Sequence, residues 1–157
     1  MVFEDVYNEY YPRVYRLCMG YTNDEEHARD LTQETFIAVW KHLPGFRNEA
    51  SVGTWVYRIA TNQCLRAVAK AQRIVHSELP LEMKEAPPSD TEEKLQLLYK
   101  CISMLKETER IIISLVLEGL PHAEIAAIAG LSEGNVRVKV HRIKEQLTQK
   151  MKQYGSL

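Results

Sequence analysis

The chain has 157 residues, 45% of them hydrophobic and 26% charged, with a formal net charge of −1; this is the composition of an ordinary soluble globular protein. It excludes a mostly disordered tail, and no run approaches the roughly 18–20 uninterrupted apolar residues that a membrane-spanning helix requires. The N-terminus, MVFEDVYNEYYPRVYR, carries acids where a secretion signal would carry bases followed by an apolar run, so a cytoplasmic location is expected.

Helical periodicity dominates from the first residues. Phe3, Val6, Tyr7, Tyr10, Val14, Leu17, Cys18 and Tyr21 step by three and four, the pattern of an amphipathic helix. Pro12 falls inside it and is expected to kink or divide it. Asn23 with Glu26 three residues on reads as a capping box opening a second helix that runs to about His42. On that helix Asp30, Gln33, Glu34, Ile37 and Lys41 share one face, with Leu31, Thr35, Val39 and His42 opposite as expected core. An isoleucine among acids and a glutamine suits docking to a basic partner, although on spacing alone the simpler reading is a solvated helix face.

Pro44-Gly45 ends this helix, a polar connection follows, and a third helix runs from about Thr54 to about Val75. Trp55, Arg58, Asn62, Arg66 and Arg73 fall in one angular sector, with Lys70 beside Arg66. An aromatic, an amide and guanidinium groups on one face suit unstacked bases and a phosphate backbone; Trp55 reads equally well as a core residue. Residues 76–93 hold six acids, one base and three prolines and read as a flexible acidic linker. Helices resume near Thr91, with Leu95, Leu98, Tyr99, Ile102 and Leu105 as the apolar face, then Glu107–Glu118, Pro121–Ala129 and Ser132 to about Tyr154. The expected fold is all-α: two small helical domains, residues 1–75 and 94–157, on one tether.

Within the second domain, PHAEIAAIAGLSEGNVRVKVHR reads as a helix-turn-helix. Small apolar Ile125, Ala126 and Ala129 permit close packing, Gly130 supplies a left-handed turn, Leu131 fills the gap and Ser132 caps the second helix. Val136 and Val140 hold that helix on the first, which leaves Asn135, Arg137, Lys139, His141, Arg142 and Lys144 facing outward. Such a face places early side chains at base edges in the major groove and later bases over phosphates; the plainer alternative is a helical hairpin with a solvated basic side. Charge is distributed to match. Residues 41–75 carry net +5 and residues 132–157 net +4, while residues 1–40 and 76–93 each carry −5, so two basic blocks can meet an anionic polymer in a nearly neutral chain.

Cys18, Cys64 and Cys101 are isolated and lack metal-ligand spacing, so they are expected as buried small hydrophobes. There is no metal-ligand cluster, activated nucleophile or phosphate-binding glycine loop in the sequence, so no metal, cofactor, small-molecule substrate or catalysis is expected.

Two runs carry a family resemblance. DLTQETFIAVWKHL, with Asp30, Gln33, Glu34, Phe36 and Trp40, and TWVYRIATNQ, ending near Asn62, resemble bacterial RNA polymerase sigma factors of the extracytoplasmic-function type. Glu118-Gly119-Leu120, Glu124-Ile125-Ala126, Val136 and Arg142 are similar to that family's second domain. The resemblance implies that Asp30, Gln33, Glu34, Ile37 and Trp40 dock on the clamp helices of the polymerase largest subunit, which overturns the solvated-face reading. It implies that the Phe46–Thr54 loop with Arg58, Asn62, Arg66 and Lys70 meets the minus-ten element, Asn62 lying near a captured non-template base. Arg137, Val138 and His141 would read the minus-thirty-five element, with Asn135 on the same face and Lys139, Arg142 and Lys144 towards the backbone. It also implies an anti-sigma partner covering the docking face. Val138 and Asn135 stand where small polar residues and threonine are frequent, so the DNA sequence read does not transfer. The alternative functions are a stand-alone helix-turn-helix regulator, which would bind its operator as a dimer, and a helical protein that binds polymerase without reading DNA.

Overall fold

The computed structural model describes residues 1–71 and 90–155, with the side chains of 68–71 outside the description. The described residues form seven α-helices and no strand: α1 (Phe3–Thr22), α2 (Glu25–His42), α3 (Val52–Ala71), α4 (Asp90–Ser103), α5 (Glu107–Leu117), α6 (His122–Ala129) and α7 (Glu133–Gly155). No helix among them is long and apolar enough to cross a membrane.

The expected apolar stripe of α1 is buried at Val6, Tyr10, Val14, Leu17, Cys18 and Tyr21. Pro12 does not divide the helix. Both Pro12 and Asn8, whose carbonyl loses its helical donor, are exposed, so water can satisfy that oxygen. The helix ends at Asn23, whose backbone is left-handed at φ 51° and whose N–H donates to Met19 O at 2.8 Å. The cap of α2 is therefore Asp24, not Asn23. Its Oδ1 accepts from His27 N–H at 3.0 Å, and Glu25 and Glu26 follow in the first turn, where the helix dipole favours acids.

Leu31, Thr35 and Val39 are buried as expected, whereas His42 at the helix end is exposed. A single 3-10 turn, Leu43–Gly45, follows. Next, Ser51 Oγ accepts from Thr54 N–H at 3.1 Å, so α3 begins at Val52, two residues before the expected start. The end expected for it near Val75, with Arg73, lies outside the described residues, as do residues 76–89 of the acidic segment. Helix α4 begins at Asp90, with Asp90, Glu92 and Glu93 in its first turn. On its face Ile102 is buried and Leu98 and Tyr99 half-buried, but Leu95 is exposed and Leu97 turns inward instead.

All three cysteines are buried and free, and Cys18 Sγ lies 3.9 Å from Cys64 Sγ between α1 and α3. The core is continuous. Val14 and Leu17 of α1 and Val56 and Ala60 of α3 join Ile111, Ile112 and Leu115 of α5, Ile125 of α6 and Val136 of α7. Leu17 is fully buried, and Leu17→Ala would cost about 2–5 kcal/mol in lost burial and cavity.

Candidate protein and nucleic-acid interfaces

Because the buried stripe of α2 is Leu31, Thr32, Thr35, Phe36 and Val39, helical geometry turns Asp30, Gln33, Glu34, Ile37 and Trp40 outward, and all five are exposed. Ile37 is 56% and Trp40 64% exposed, and three residues apart on one helix they form an apolar pair on an otherwise polar face. Glu34, Ile37 and Lys41 line an open groove of about 310 Å³ with Gln63 and Arg66 of α3. The face expected to bind protein is thus continuous with Arg66, a residue expected on the nucleic-acid side.

On α3, Arg58, Asn62 and Arg66 recur every four residues, Arg58 half-buried and the other two exposed. Lys70 lies on the same helix, its side chain outside the description. Trp55 is half-buried, its ring tilted against Phe46 with centroids 4.7 Å apart and 31° between planes. It lies at the edge of the core, against the loop that precedes α3. Beside it, Phe46, Pro44, Leu43, Trp40 and Phe3 border a second hollow of about 460 Å³, and Asn48 takes a left-handed backbone at φ 56°. The spacing of a single helix could not show this hollow, because its walls come from α1, the end of α2 and the loop.

The helix-turn-helix forms as expected. Gly130 has φ 73° and closes α6, and Ser132 Oγ accepts from Asn135 N–H at 3.1 Å to open α7. Val136, Val140 and Ile143 are buried, which leaves Asn135, Arg137, Val138, His141, Arg142 and Lys144 exposed and Lys139 half-buried. Arg137 faces Glu133 at 4.0 Å and His141 Nε2 faces Glu145 at 3.2 Å. These i,i+4 contacts on an exposed surface are weak.

One cluster was missed by the sequence reading. The Glu118 side chain is only 4% exposed. Its Oε2 and Oε1 accept from Arg16 Nε and Nη2, both at 2.9 Å, and Oε1 also accepts from Tyr57 Oη at 3.2 Å. The hydrogen bond from Arg16 to Glu118 raises the Arg16 pKa. Burial, and after it the Glu118 charge, push the Tyr57 phenol far above its usual range. A signal was present: Glu118 is an acid at the C-terminal end of a helix, where the dipole disfavours it unless it has a cationic partner.

Comparison with known proteins agrees with this geometry. Residues 6–74 match the family model Sigma-70 region 2, and residues 95–147 match Sigma-70, region 4. The ECF RNA polymerase sigma factor SigE of Mycolicibacterium smegmatis is 29% identical over 163 residues, covering 98% of this chain; the chain spans 63% of that relative's length. The ECF RNA polymerase sigma-E factor of Salmonella typhimurium is 32% identical over 138 residues, covering 78% of this chain and 72% of its own. Among solved structures, the sigma factor RpoE of Bartonella quintana, in complex with the anti-sigma factor NepR, superposes with a TM-score of 0.79. It is 21% identical and covers 96% of each chain. With both regions matched in order on one chain, this protein belongs to the sigma-70 family of RNA polymerase sigma factors, within its extracytoplasmic-function branch.

Proposed function

We propose that the chain binds core RNA polymerase through α2 and directs it to promoters through α3 and α7. The observation that carries this reading is the exposure of two chemically distinct faces on one chain. One is the acidic and apolar α2 face with Ile37 and Trp40; the other is the basic outer face of α7. Asp30, Gln33, Glu34, Ile37 and Trp40 meet the clamp helices of the largest subunit. Arg58, Asn62, Arg66 and Lys70, with the loop held by Phe46 on Trp55, meet melted minus-ten DNA. Asn135, Arg137, Val138 and His141 face minus-thirty-five base edges, and Lys139, Arg142 and Lys144 face phosphates. An anti-sigma factor, as in the complex of the Bartonella relative, is a fitting inhibitor for the α2 face.

Neither DNA face needs tight affinity alone, because polymerase presents both at once and raises their effective concentration. The near-neutral total charge limits attraction of the free chain to random DNA. Capture of an unstacked base offsets part of a melting cost of a few kcal/mol. The chain contributes binding and orientation, and bond formation belongs to the polymerase. Residues 1–75 form the docking and minus-ten unit and residues 94–157 the minus-thirty-five unit, with 76–93 between them. The test is transcription from fragmented genomic DNA by core polymerase with and without the protein, with start sites mapped. New starts sharing two upstream motifs support the reading; an unchanged set of starts contradicts it.

A further inference from the structure

The outermost line of α7 carries one apolar side chain and one missing side chain. The buried row of this helix is Val136, Val140, Ile143 and Leu147. At 3.6 residues per turn, Gly134 and Val138 lie within about 30° of the direction opposite that row. They are four residues apart, so they form one ridge a turn long. Arg137 and His141 flank the ridge on one side, Asn135 and Arg142 on the other, all four exposed. Val138 is 49% exposed between them.

The fold itself requires neither residue. Gly53 is glycine because a Cβ there would lie 2.9 Å from Tyr10 Oη, and Gly130 because its φ is 73°. Gly134 has neither reason: it stands within α7, and an added Cβ would meet no atom within 4 Å. Glycine and valine are both poorer helix formers than alanine, so both weaken α7 at positions where packing asks nothing of them. A single exposed valine is ordinary; a valine beside an unrequired glycine, on the line that would point into a DNA groove, has a use there. Helical side chains lean towards the N-terminus, over the residue four places earlier. Val138 therefore leans over Gly134, where no side chain covers it, and the bare Gly134 lets the backbone come close to a ligand.

We infer that Val138 reads the C5-methyl group of a thymine in the minus-thirty-five element, and that Gly134 gives the clearance this contact needs. The inference rests on the sigma-factor reading above and adds to it the chemical group that one position recognises. The thymine methyl is the one apolar group that base edges present in the major groove. Valine has no donor or acceptor, so over another edge it would shield a polar group from water without pairing it. Over thymine, apolar surface is buried on both partners. The branched side chain keeps one preferred rotamer in a helix, so its methyls are in position before DNA arrives.

Uracil differs from thymine only in lacking that methyl, which supplies the test. The probe is a promoter mapped with the full-length protein and core polymerase, rebuilt with uracil at each thymine of the upstream motif in turn, on either strand. At one position the substitution should weaken holoenzyme binding about fourfold, the scale of one methyl group withdrawn from an apolar contact. With Val138→Ala the same uracil should no longer matter. Gly134→Ala should raise the melting temperature of the free protein and leave core polymerase affinity unchanged. It should nevertheless weaken promoter binding about tenfold, the scale of one misfitted base pair. A wild-type holoenzyme indifferent to every uracil, or an upstream motif without thymine on either strand, overturns the inference. So does a uracil effect undiminished in Val138→Ala, or promoter binding unchanged in Gly134→Ala. If the wild-type protein directs no promoter-specific start with core polymerase, the sigma reading fails and takes this inference with it; that outcome is distinct from indifference to uracil at a working promoter.

Discussion

The rings of Phe46 and Trp55 pack against each other at a tilt of 31° with centroids 4.7 Å apart, which ties the loop after α2 to the first turn of α3. Phe46 leaves the 3-10 turn in an extended conformation, its N–H donating to Leu43 O at 3.1 Å, so its ring falls back on the helix. The loop that, with α3, is expected to meet the minus-ten element is thereby given a fixed position, and most of its ordering entropy is lost on folding rather than on DNA binding.

Phe46→Ala should free that loop while leaving α2 untouched. Open-complex formation, followed by permanganate reactivity of unpaired thymines, is expected to fall about tenfold, with core polymerase affinity unchanged. Equal opening by the variant would remove this ring contact from the account.

Asn62 is exposed on α3, four residues from Arg58 and from Arg66. Asn62→Ala is expected to reduce promoter opening by about tenfold, the scale of one or two lost hydrogen bonds, and to leave polymerase binding intact. Equal loss in both assays would show that Asn62 serves docking or folding rather than the melted strand.

Glu34 is exposed beside Ile37 and Lys41, so Glu34→Lys reverses a charge without disturbing the core. The expected result is a core polymerase affinity weakened by tenfold or more, with an unaltered circular dichroism spectrum and melting temperature. Unchanged affinity would take Glu34 off the docking face.

On α7 the outer residues should divide by role. Lys144→Ala is expected to weaken binding to all promoter sequences alike and to reduce the salt slope by about one. Arg137→Ala should cost about 1–3 kcal/mol and relax preference at one minus-thirty-five position. Competition binding across single-base promoter variants, repeated at several salt concentrations, separates the two; identical behaviour would refute the division.

Tyr21 is buried and its pKa is raised to about 12, first by burial and then by Glu107, with Arg110 opposing. The unfolded chain releases this proton near pH 10, so the stabilising contribution is complete below pH 10. It is lost as pH rises from about 10 to about 12. Urea unfolding across that window should show declining stability, and Tyr21→Phe should flatten the decline. A decline identical in the variant would assign it to other groups.

Much of the architecture was legible because helical period alone separates Leu31, Thr35 and Val39 from Asp30, Gln33 and Glu34. The turn chemistry of Gly130 and Ser132 similarly fixed the orientation of α7. Errors came where periodicity is silent. Asn23 and Asp24 are both good caps, and the left-handed backbone of Asn23 decided between them. His42, the last residue of α2, and Leu95, in the N-terminal half of α4, satisfy a periodic pattern but are left exposed. The seam between α1 and α5 was out of reach, because a stripe announces that it will be buried and not which distant helix will cover it. Only Glu118, an acid placed against the dipole, hinted at it.

The most direct test of the central claim is co-elution of the purified protein with sigma-free core RNA polymerase at about 0.15 M salt, where surface attraction is largely screened. A stoichiometric complex that Glu34→Lys dissociates is the predicted result. No complex, together with a dimeric free protein that binds operator DNA alone, would contradict the account.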